Sequence, residues 1–97
     1  MWSYGEPEDM REERETIAKI KFKKVEAAPY KCHATYEWEG HIIEADATTH
    51  FNGGHIWYCD TLFKGTMFRT LKGLKRAIAL KQLGRLTKGA LEICEEM

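Results

Sequence analysis

The chain has 97 residues, 31% charged and 43% apolar, with fifteen basic and fifteen acidic side chains that cancel. That balance excludes disordered, collagen-like and disulfide-stapled classes and suits one domain able to bury its own core. The start bears neither a basic nor an apolar leader segment, and no run approaches bilayer length, so a cytoplasmic protein without a membrane anchor is expected. Cys32, Cys59 and Cys94 have no CxxC spacing and read as free thiols in a reducing compartment.

Net zero conceals segregation. Residues 1–15 hold six acids (Glu6, Glu8, Asp9, Glu12, Glu13 and Glu15) against Arg11 and Arg14, whereas residues 61–91 hold eight cations and no acid. Charge asymmetry of this kind bears on partners rather than on fold.

In chain order, residues 1–15 are expected to form an acidic tail or a short helix starting at Pro7, and residues 16–97 a single α+β domain. The alternation of Ala18, Ile20 and Phe22 with Lys19, Lys21 and Lys23 favours a strand over 16–26; one long helix from Pro7 towards Pro29 is the competing reading. Tyr30 to Trp38 alternates again, Glu39-Gly40 supplies a two-residue turn, and His41 to Phe51 returns. Asn52-Gly53 is a hairpin signal leading to a third strand, His55 to Phe63, followed by a Lys64-Gly65 turn and a short Thr66–Phe68 segment.

Counting back from two-residue turns places Tyr36 opposite Ile43, Ala34 opposite Ala45 and Cys32 opposite Ala47, with Tyr58 on the same, core-facing side. Lys31, His33, Thr35, Glu37, Ile42, Glu44, Asp46, Thr48, His50, His55, Trp57 and Cys59 take the solvent side. A bulge at Gly54 would flip the third strand and bury Trp57. Thr70 and Gly84 bracket a helix from Leu71, with Leu71, Leu74, Ala77 and Ile78 facing the sheet, Lys72, Lys75 and Arg76 facing out, and Lys81 snorkelling. A second short helix follows within Arg85–Met97. The expected fold is therefore a three- to four-stranded antiparallel meander with a C-terminal helix packed on one face, in two layers.

Over residues 30–84 the strand-strand-strand-helix order resembles small DNA-binding domains of plant transcription factors and of integrase arm-binding regions. The likeness is one of element order, without a shared motif, and transfers no residues. Those domains read DNA with the exposed sheet face, which here carries Glu37, Glu44 and Asp46.

Chemistry is sparse. His33, Asp46 and Cys59 align across three strands, but the carboxylate stands where a catalytic imidazole belongs. His50 and His55 flank a turn without a third metal ligand, and the glycine-rich stretches lack phosphate-loop spacing. No enzymatic activity, metal or cofactor is expected. Two partner classes follow. A DNA or RNA backbone would meet Arg69, Lys72, Lys75, Arg76, Arg85 and Lys88. Alternatively Trp57, Glu37, Glu44 and Asp46 would dock a protein, the chain acting as an inhibitor or small accessory factor on a larger nucleic-acid-processing enzyme, similar in size and composition to the accessory proteins of phages.

Overall fold

A computed structural model of the chain describes residues 7–27, 33–47 and 55–97. Helix α1 (Glu8–Lys19) starts after Pro7, with Glu8 and Asp9 in its first turn and Lys19 in its last, so both ends complement the helix dipole. Four strands follow, β1 (Lys23–Ala27), β2 (His33–Trp38), β3 (His41–Ala47) and β4 (His55–Tyr58), then α2 (Leu71–Gln82) and α3 (Lys88–Glu96). The strands form one antiparallel sheet in sequence order. The expected α+β meander with a C-terminal helix is present.

The strand expected over 16–26 is corrected to a helix end and a strand start. Met10, Ile17 and Ile20 recur at helical spacing, and Ile20, only 2% exposed, is the extended residue that closes α1. The alternating lysines straddle that junction and imitate a single strand. β1 pairs with β2, its register shifting between Lys24 and Glu26, so Val25 sits in an irregularity.

Tyr36 pairs with Ile43 and Ala34 with Ala45, as the Glu39-Gly40 turn requires. Both turn residues have positive φ, +46° and +81°, the backbone a tight hairpin of this kind needs. Cys32, His50 and the Asn52-Gly53 turn lie outside the described residues.

The third expected strand departs in length and in register. β4 stops at Tyr58, and Leu62 and Phe63 donate back to the Cys59 carbonyl in a turn. Ala45 pairs with Trp57 and Glu44 with Tyr58, so the strand is flipped relative to the two-residue-loop register: Trp57 faces the helices and Tyr58 faces out. Reciprocal 2.8 Å backbone bonds between Trp57 and Phe68 hold that register.

Trp38, Ile43 and Ala45 are the buried residues of β2 and β3, and all lie on one side. Trp38 and Ile43 join Cys59, Phe63 and Phe68 from the turn segment, Ile20, Cys94 of α3, and Leu74, Ala77 and Ile78 of α2 in a single core. Thr70 caps α2, its Oγ accepting from the Gly73 amide at 3.0 Å, and Gly84 at φ +70° follows its end. Gly73, Ala79 and Leu80 of α2 are buried as well, so the helix is enclosed on more than its sheet side.

Candidate functional site

Strand alternation puts His33, Thr35 and Glu37 of β2, Ile42, Glu44 and Asp46 of β3, and Ile56 and Tyr58 of β4 on the face away from the helices. None of them is buried, and Ile42 is 43% exposed. At the centre His33 and Asp46 are direct cross-strand partners, and the imidazole Nδ1 bonds the Asp46 carboxylate. Its Nε2 lies 3.4 Å from both Glu44 Oε1 and Thr35 Oγ1. From the next strand the Tyr58 hydroxyl donates to the second Asp46 oxygen at 2.9 Å.

These contacts set the protonation of the group. The hydrogen bond to Asp46 raises the His33 pKa above 6.5; partial burial opposes this, and the charges of Asp46 and Glu44 add to the rise. Burial pushes the Asp46 carboxyl up, but the bonds from His33 and Tyr58, with the imidazole's charge, outweigh it and hold the pKa below the usual carboxylate range. Tyr58 is raised, first by burial, then by the bond to Asp46 and the charges of Glu44, Asp46 and Asp60. The phenol therefore stays a donor and the carboxylate an acceptor, which keeps the array ordered and acidic.

The alignment of His33, Asp46 and Cys59 does not form. The flip of β4 carries Cys59 into the core, where it is fully buried with Sγ 3.4 Å from Thr61 Oγ1, and brings Tyr58 alongside Asp46 instead. Among the described residues no group of three His, Cys, Asp or Glu side chains could hold a metal ion. The proposed pairing of His55, which is exposed, with His50 falls outside the described residues.

Trp57 is separated from Glu37, Glu44 and Asp46, with which it was grouped. It lies on the other face, half-buried, its ring 5.5 Å from that of Tyr36.

The six candidate cations are dispersed. Arg76 Nε meets Glu13 at 2.5 Å, and Arg85 Nη2 lies 3.2 Å from Glu12 and 3.4 Å from Asp9. Arg69 stands 3.5 Å from Glu96, at the far end of α3 from Lys88. Lys75 lies over the Phe22 ring, 5.4 Å from its centroid, and Lys72 and Lys88 are exposed. Lys81 snorkels as expected, donating to the Leu62 carbonyl at 3.0 Å beside the Phe63 ring. Sequence reasoning missed Tyr58 and the α1 acids as partners. The signal for the latter was present, an acidic run and a basic run in one small domain.

No known protein family matches the chain, and no curated protein or solved structure is significantly similar to it. The functional reading therefore rests on geometry.

Proposed function

We propose that the chain is a non-enzymatic protein-binding domain that docks a cationic, partly apolar surface of a larger nucleic-acid-processing protein, as an inhibitor or accessory factor. The observation that carries this reading is the outer face of the sheet, on which none of the described helices packs and where Glu37, Glu44 and Asp46 stand beside Ile42, Ile56 and Tyr58. An apolar centre with charged flanks suits a protein partner, and carboxylates repel a phosphate backbone while attracting the lysines and arginines that line phosphate-binding grooves. The His33–Asp46–Tyr58 array supports it further, because side chains already held in place lose less entropy on docking. Arg69, Arg76 and Arg85, half of the expected basic surface, are paired with acids of the chain itself, which weighs against simple nucleic-acid binding as the main role.

The test is capture from nuclease-treated native lysate with the parent and with a Glu37→Lys/Ile42→Ala/Glu44→Lys variant whose folding is verified by circular dichroism. A protein retained by the parent and lost by the variant is the expected result. An identical set of captured proteins would sink the proposal.

A further inference from the structure

The polar stripe of α2 is already in use. Lys72, Lys75 and Arg76 share it with Ala79, one helical turn on, and Ala79 is fully buried. The element over it is α1, whose Glu13 reaches Arg76 and whose Glu12 and Asp9 reach Arg85 beyond the end of α2. Between the two helices Met10, Ile17, Lys72 and Arg76 line a groove of about 540 Å³. α1 contributes little apolar burial of its own: none of its residues is buried, and Ile17 is only partly so. Charge is a large part of what this helix brings to the contact.

Partly exposed ion pairs of this kind are individually weak and are screened by salt. A guanidinium donates to a phosphate oxygen in the same fork geometry as to a carboxylate oxygen. Asp9 lies three and four positions before Glu12 and Glu13, so its Cβ stands about 5–6 Å from each of theirs, and the three carboxylates reach Arg76 and Arg85. A phosphodiester chain also presents closely spaced oxyanions, and adds the entropy of released counterions that a carboxylate row in cis lacks.

We propose that the face of α2 bearing Lys72, Lys75, Arg76 and the adjoining Arg85 is a phosphodiester-binding surface that α1 occupies in cis, its carboxylates standing in for phosphates. Nucleic acid binds there by displacing α1. This site is separate from the outer sheet face, so either proposal stands or falls without the other.

Fluorescence anisotropy on the full chain tests it, with a labelled single-stranded RNA and a labelled DNA duplex at about 50 mM salt. The parent is expected to bind weakly. An Asp9→Asn/Glu12→Gln/Glu13→Gln variant should bind about tenfold tighter than a Glu37→Gln/Asp60→Asn/Glu92→Gln control with the same net charge. Its salt slope on the duplex should steepen by about two, one per freed arginine. Adding Arg76→Gln and Arg85→Gln should abolish the gain. The RNA and duplex arms tell which source of phosphodiester the surface favours, and a gain with either supports the site. Equal gains in variant and control, a gain that survives loss of both arginines, equally effective competition by poly-glutamate, or no binding by any variant would overturn it. Hydrogen exchange of the parent's α1 amides provides a readout without substitution. Exchange should accelerate when nucleic acid is added, and unchanged protection in a bound complex would refute the displacement.

Discussion

A Cβ on Gly73 would lie 2.2 Å from the carbonyl oxygen of Cys94, which fixes how closely α2 and α3 pass. The obstructing atom is backbone, so no side-chain rotation can relieve the clash. Gly73→Ala is therefore expected to destabilise the fold by about 1–3 kcal/mol, despite alanine's better helix propensity, because the helices must separate. Urea denaturation measures this, and an unchanged midpoint would show that the two helices part easily.

Thr70 acts on the same turn from the other side. Its hydroxyl accepts from the Gly73 amide, and Thr87 does the same for Ala90 at 3.1 Å at the start of α3. Thr70→Ala should cost about 1 kcal/mol, with Thr70→Ser recovering most of it, since serine restores the acceptor. Thermal unfolding of the three proteins gives the comparison.

The His33–Asp46 pair makes a pH prediction of definite sign. The raised His33 pKa means its stabilisation is fully present below 6.5 and is lost as pH rises through the higher folded value. The lowered Asp46 pKa means its stabilisation is present above 3.8 and is lost as pH falls through the depressed value. Both operate between those limits, so the outer face should be most firmly ordered in mildly acidic solution. NMR titration of the imidazole should show Asp46→Asn returning His33 towards 6.5, and an unmoved titration would mean the pair does not persist in solution.

Trp57 and Ile42 test the register of β4. With Trp57 packed beside Tyr36 and the core, Trp57→Ala should cost about 2–4 kcal/mol, somewhat below the range for a fully buried aromatic. Ile42→Ala, on the open face, should stay within about 0.5 kcal/mol. A Trp57→Ala cost as small as that of Ile42→Ala would restore the two-residue-loop register and place Trp57 outside.

What was legible before the structure came from local chemistry. Thr70 and Gly84 bracket α2 because capping and positive φ are properties of one or two residues. Glu39-Gly40 likewise set the β2–β3 pairing, since a tight turn leaves no freedom in the count. For β4 the turn count left two faces open, Trp57 outward with a two-residue turn or inward with a bulge, because a change of parity exchanges Trp57 for Tyr58; the pairing of Ala45 with Trp57 gives the inward face. The array on the outer face was half visible: His33 and Asp46 followed from the turn, and Tyr58 did not. Arg76 and Glu13, sixty-three positions apart, are joined only by tertiary packing, which no short-range pattern encodes. Cations read as a free surface were therefore partners of acids read as a tail.

The irregularity at Val25 bears on how this molecule behaves at high concentration. β1 is an outer strand of the sheet, and such a margin is a template on which a second chain can polymerise strand by strand. Here the template is spoiled twice, by Lys23 and Lys24, and by the shifted register that turns the half-exposed Val25 out of line. A flat margin that accepts a neighbour is the opening step of fibril growth. The local imperfection in β1 thus works against strand addition at this margin, and it does so without altering the broad outer face of the same sheet.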